Sequence, residues 1–177
     1  GSFYLILSAE TVRTRLADWR AAAANGHELG NHSLFHQCSG KGPERSWVAP
    51  QRNLDTTTLA QMRDQVELAS TMLQAIDGRS ARTYTAPCGE VAAMDGSYLG
   101  AVAPLFVGIK LIGGAVVDDM ATLDPAAVPV AAPVGMSGAQ LIALVEEAGR
   151  KGTMANFTFH GIGGDHDVAG QDHARPA

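Results

Sequence analysis

Short apolar runs alternate along this sequence with stretches whose apolar residues recur at helical spacing, and that alternation leaves few folds open. Residues 3–7 form an apolar, aromatic-rich run that predicts a buried strand. Residues 10–24 carry Val12, Leu16, Trp19 and Ala23 at helical spacing, which predicts one amphipathic helix with Ser8 as N-cap and Asn25-Gly26 as stop. Asp55 and Thr56 to Thr58 offer caps for a second helix, with Leu59, Met62, Val66, Ala69, Met72, Leu73 and Ile76 on one face and Asp77-Gly78 as its end. Further strands are expected over residues 82–85, 105–109 and 112–117. Ser137 caps a helix running to Arg150, and residues 154–159 predict a strand that leads into His160. Strands that take turns with helices argue an α/β fold with a mainly parallel sheet or barrel, whose chemistry gathers at the C-terminal ends of the strands.

Composition narrows the functional classes. At 177 residues, with 46% hydrophobic and 18% charged residues, the chain holds enough apolar material for one core and does not read as disordered or collagen-like. Its formal net charge of -5 comes without any long Lys/Arg run, so nucleic acid is not an expected partner. The longest apolar stretch, residues 101–117, is broken by Pro104, Gly108, Lys110, Gly113 and Gly114, so no membrane span is expected. No secretory leader is visible, and a processed chain would have lost one. Cys38 and Cys88 allow at most one internal disulfide.

The densest cluster of unusual residues is Gly26-His27-Glu28-Leu29-Gly30-Asn31-His32-Ser33-Leu34-Phe35-His36, beside a long polar loop expected over residues 37–53. His32 and His36 are four apart, so one helical turn would stack both imidazoles on one face and offer two nitrogens to one cation. Two polar surface histidines are the plainer alternative. A His-Glu-x-x-His metalloprotease is disfavoured, because Asn31 stands where the second histidine belongs.

This run resembles the second motif of the polysaccharide deacetylases, the family-four carbohydrate esterases with a NodB-type domain. In that motif two histidines flank a Ser or Thr and two further residues, and the resemblance implies that His32 and His36 bind a divalent metal, zinc first, with cobalt or nickel as substitutes. Phe3-Tyr4-Leu5 is similar to the family's second strand. Tyr84-Thr85-Ala86-Pro87-Cys88-Gly89 resembles the third motif, a proline turn lining the substrate groove, so Pro87, Cys88 and Gly89 are expected to bind substrate or its oxyanion; Thr85 stands where the family usually has Arg. Phe157-Thr158-Phe159-His160, followed by Gly161 to Asp165, resembles the fifth motif and implies His160 as general acid.

Each of these segments also has an ordinary reading. A proline turn after a strand is common, a single histidine such as His160 can belong to a core, and the Gly161 to Gly164 run lacks the lysine and helix start of a P-loop. Asp118-Asp119 lies near the fourth motif with no Trp after it, so that motif is not carried over; either acid, or Asp165, is at most a substitute carboxylate. The first motif, whose two acids serve as base and metal ligand, would precede Phe3.

The resemblance as a whole implies a distorted (β/α) barrel of the NodB type across residues 1–177, without its first strand. The activity it implies is metal-dependent hydrolysis, through a metal-activated water, of acetyl groups on an N-acetylglucosamine-containing glycan or acetylated xylan. A secreted or periplasmic setting goes with it. Two rivals stay open: a structural zinc module on His32, His36, Cys38 and Cys88, against which a Cys38–Cys88 disulfide weighs equally, and a catalytically inactive carbohydrate-binding relative.

Overall fold

Strand β1 (Ser2–Leu5) runs parallel to β2 (Glu28–Asn31), pairing Ser2 with Glu28 and Leu5 with Asn31. Parallel neighbours need a crossover, and this one is helical. It is two helices rather than the single one expected: α1 (Glu10–Thr14) and α2 (Leu16–Ala24) break at Arg15, whose φ of -124° and ψ of 34° leave the helical region. Two bonds account for the break. Thr14 Oγ1 donates back to Glu10 O, a contact that bends helices, and the Trp19 indole N–H takes Thr11 O from across the joint. The cap also differs from expectation, since Ala9 holds the N-cap position without a side-chain bond and Ser8 N–H is spent on Leu34 O.

The third strand, β3 (Thr83–Thr85), lies on the other side of β2 with Tyr84 opposite Asn31, and is reached through α3 (Leu59–Asp77). Helix α3 starts with a full capping box between Thr58 and Gln61 and stops at Gly78, which takes the left-handed conformation a residue with a Cβ resists. Its inner face places Ala69 and Leu73 against Leu5, Leu7, Val12, Ala23 and Leu29, with Trp19, Leu34, Met72 and Ile76 half-buried around them. A short hairpin of β4 (Ala92–Ala93) and β5 (Gly96–Ser97) and a one-turn helix α4 (Leu99–Val102) follow.

These elements come from a computed structural model that describes residues 1–161. The chain divides into two compact units, Gly1–Ile109 and Lys110–Ala177. Strand β6 (Gly108–Ile112) begins at the end of the first and pairs in parallel with β7 (Val128–Val130), Lys110 opposite Val128 and Ile112 opposite Val130. Helix α5 (Gly138–Lys151) has its own capping box, Ser137 with Gln140, as the sequence predicts for Ser137.

Three strand predictions, over residues 105–109, 112–117 and 154–159, are corrected in this part of the chain, the first two giving way to a single strand. Residues 103–105 are a 3-10 turn and the strand lies over Gly108–Ile112, ending where Gly113-Gly114 interrupt the apolar run. Residues 154–159 make no ladder: Ala155 bridges Val116 antiparallel and Phe157 bridges Ala131 parallel, one bridge to each of two partners. His160 therefore follows a segment with two isolated bridges rather than a strand. The architecture is mixed α/β with mostly parallel strand pairs. No helix among the described residues is long and apolar enough to cross a membrane.

Candidate active site

The histidine pair sits on a turn that leaves the C-terminal end of β2, next to the C-terminal end of β3. Asn31, fully buried as the last residue of β2, builds that turn. Its amide nitrogen donates to Val66 O and to Ser70 Oγ on α3, both at 2.8 Å, while its Oδ1 accepts the Ser33 N–H at 2.7 Å. Ser33 is left-handed at φ 63°, and its Oγ accepts the His36 N–H at 2.9 Å; His36 is left-handed too, at φ 55°. The result brings the His32 and His36 rings to a centroid distance of 4.7 Å at 72°. The expected helical turn is absent. Two left-handed residues, held by side-chain oxygens, bring the imidazoles together instead.

His32 Nδ1 lies 2.8 Å from Thr85 O. A carbonyl can only accept, so Nδ1 carries the proton and the ring's lone pair is on Nε2, the arrangement by which a backbone carbonyl orients a metal-binding imidazole. His36 is buried, with Nδ1 3.6 Å from Cys38 Sγ.

Cys38 is joined to Cys88 by a disulfide, with Cα atoms 5.8 Å apart. The bridge ties the turn after His36 to the short 3-10 turn Pro87–Gly89, in which Cys88 is left-handed at φ 57° and Gly89 at 69°. Gly89 N–H donates to Ala86 O and Glu90 N–H to Pro87 O, so this turn is fixed by its own backbone. Two carboxylates then hold the polar loop. Glu90 accepts the Ser39 N–H at 2.6 Å and pairs with Arg45 at 2.8 Å; Asp55 accepts from Ser39 Oγ and the Gly40 N–H and pairs with Lys41 at 3.3 Å. Partial burial works against the Asp55 charge, but the bonds from Ser39, Lys41 and Gly40 outweigh it and hold its carboxyl below the usual range. Ser39, Lys41, Asp55, Glu90, Val91 and Met94 line a cavity of about 350 Å³.

The predicted site residues therefore fall into two groups. His32, His36, Pro87, Cys88 and Gly89 lie in the first unit, where His32 bonds to Thr85 and the disulfide links the two turns. His160 lies in the second unit, exposed and in a bend. Asp118 pairs with Lys151 at 3.3 Å and Asp119 accepts the Ala121 N–H, so both acids have ordinary structural partners; Asp165 and residues 162–164 lie outside the described residues. The closed zinc module loses its cysteines to the disulfide, because a bridged sulfur is not a thiolate. Asn31 and the Thr85 carbonyl go beyond the sequence expectations, as does the part Ser33, the motif's own hydroxyl residue, plays in bending the turn. The signal for Asn31 and Ser33 was present, an Asn and a Ser flanking His32, both types that bond back to nearby backbone.

The polysaccharide deacetylase family model matches residues 2–97, more than half the chain. The chain belongs to the polysaccharide deacetylase family. Comparison with curated proteins and with solved structures gave no match. The matched deacetylase segment contains both histidines and the Pro87 turn and ends before His160. The family's enzymes are hydrolases of the carbohydrate esterase class that act on acetylated polysaccharides and generally depend on a metal.

Proposed function

We propose that this chain is a metal-dependent deacetylase of a polysaccharide or oligosaccharide, an N-acetylglucosamine-containing glycan or acetylated xylan, built as a NodB-type barrel. The observation that carries the reading is the imidazole pair of His32 and His36, with Thr85 O holding the His32 tautomer, inside the segment matched by the family. Paired imidazole nitrogens suit zinc, and cobalt or nickel accept the same donors. A divalent cation bound there supplies positive charge that polarises an acetyl carbonyl and acidifies water.

The chain's own residues do the rest. His32 and His36 hold the cation, and Asn31 and Ser33 fix their turn. We assign the acetyl oxygen to the backbone around Cys88, in a turn that the disulfide and the Gly89 and Glu90 bonds hold. His160 gives a proton to the departing amine or alcohol. We assign no general base among the described residues, since Asp118 and Asp119 already have structural partners. The disulfide supports placing the protein in an oxidising compartment, secreted or periplasmic.

The test combines metal content by mass spectrometry with acetate release from chitin oligomers and acetylated xylan. His32→Ala and His36→Ala are expected to lose bound zinc and acetate release together. His160→Ala is expected to keep the metal and lose about a hundredfold or more in rate. Full metal content in both histidine variants would overturn the assignment. Metal retained and glycan bound, with no acetate released by the unsubstituted chain, would instead identify an inactive relative.

A further inference from the structure

We propose that reducing the Cys38–Cys88 bridge creates a thiolate metal site on His36, Cys38 and Cys88, and that filling it withdraws His36 from its pairing with His32. The proposal rests on the reading of His32 and His36 as metal ligands. One nitrogen of His36 and the two sulfurs lie within 4.8 Å of one another, and among the described residues these three form the metal-capable cluster. His36 and Cys38 are buried, while Cys88 is half-buried and gives a reductant its way in.

The chemistry of the donors depends on the bridge. An intact disulfide offers no charge to a cation. A dithiol reductant delivers two electrons and two protons: the Cys38–Cys88 bond breaks, two cysteine thiols form, and the reagent's own thiols join as a disulfide. A divalent ion then displaces both thiol protons into water. Thiolates bound tetrahedrally at about 2.3 Å stand about 3.8 Å apart, a separation within reach of side-chain rotation from Cα atoms 5.8 Å apart. Three protein donors leave the fourth position to solvent.

The competition for His36 follows from its single lone pair. With the bridge intact, the sulfur beside His36 Nδ1 has neither a hydrogen to give nor a charge to draw a cation there, so a cation shared with His32 is taken at Nε2. A cation taken at Nδ1 puts the remaining ring proton on Nε2, and the same ring cannot then serve a cation shared with His32. Oxidation state thus selects which nitrogen of His36 binds metal. The bridged form is the one competent for the deacetylase site.

The test uses the full chain and Co²⁺ as probe, because thiolate ligands give cobalt a charge-transfer absorption that nitrogen and oxygen ligands do not. The bridged protein is compared with protein reduced by a dithiol and desalted under inert gas, with thiol titration reporting the bridge. The band is expected only after reduction, at one equivalent of cobalt. It is expected to vanish in Cys88→Ser, which keeps every histidine, and in His36→Ala, with circular dichroism checking the fold, and to survive in His32→Ala. Acetate release is expected to be lost in the reduced, loaded protein and regained once a chelator removes the cobalt, a small-molecule disulfide re-forms the bridge while being reduced to its own thiols, and the metal is restored. Cobalt bound to reduced protein without the band, or a band unchanged in His36→Ala, overturns the site. A band accompanied by undiminished acetate release overturns the withdrawal of His36. A band with no acetate release in either redox state leaves the thiolate site standing and defeats the deacetylase reading alone.

Discussion

At Asn31 one buried amide settles three hydrogen bonds, two to α3 and one to the turn that carries the histidines. Removing it leaves the Ser33 N–H without its acceptor in the interior. Asn31→Ala is therefore expected to cost about 1–3 kcal/mol in urea unfolding. Zinc affinity, measured against a chromogenic chelator, should fall about 10–100-fold although neither ligand is touched, because the group that orients them is gone. Affinity equal to that of the unsubstituted chain would show that the turn holds its shape without Asn31. Gly30, the preceding residue, is fixed by space: a Cβ there would stand 2.6 Å from the Tyr4 ring. At this scale the sequence identified the histidines but not what arranges them. Spacing of four suggested a helical turn; the left-handed Ser33 and His36 depend on hydrogen bonds, and the Thr85 carbonyl is a backbone group that no side-chain pattern can announce.

Among the elements, α3 and α5 were legible because their signals are local: Thr58 and Ser137 cap through Gln61 and Gln140, and Gly78 ends the first helix three-dimensionally as it does in sequence. The break between α1 and α2 was not, since it depends on an indole reaching eight residues back. The strands after residue 103 shifted for a different reason: an apolar run states burial but not which residues find a partner, and Gly113-Gly114 cut the run. A buried ion pair also joins elements in a way the sequence hides. Arg82, at the start of β3, pairs with Asp77 at the end of α3 at 3.2 Å, both side chains 1% exposed, and donates to Leu29 O on β2 at 2.7 Å and to Arg79 O. Asp77→Ala strands the guanidinium in the interior and is expected to cost about 3–5 kcal/mol of stability by urea unfolding. A cost under about 1 kcal/mol, the range of a surface pair, would mean that water reaches Arg82.

Over the molecule, all three tyrosines lie in the first unit, and all three resist ionisation. Burial pushes Tyr4 up to about 12, its bond to Thr83 acting the other way and the Glu28 carboxylate adding to the shift. Tyr84 is fully buried, stacked on Phe106, and raised well above 10.0 by that burial and by its neighbour Tyr98. Burial likewise takes Tyr98 to about 12, although the Tyr84 hydroxyl favours its phenolate. The sign follows from linkage: a phenol whose folded value lies above its unfolded 10.0 contributes stability that is complete below pH 10 and is lost as pH rises through the folded value. With three such groups in one unit, ionisation is expected to accompany unfolding. In a spectrophotometric titration, phenolate absorbance is expected to stay flat through pH 10 and to rise in one cooperative step near or above pH 12, together with loss of the far-ultraviolet dichroism. Tyr84→Phe removes the most strongly raised of the three phenols and is expected to move that step to higher pH, while Tyr98 keeps its 2.8 Å bond to Glu90 O. Three independent titrations centred near pH 10, with the dichroism intact, would instead place these rings in water.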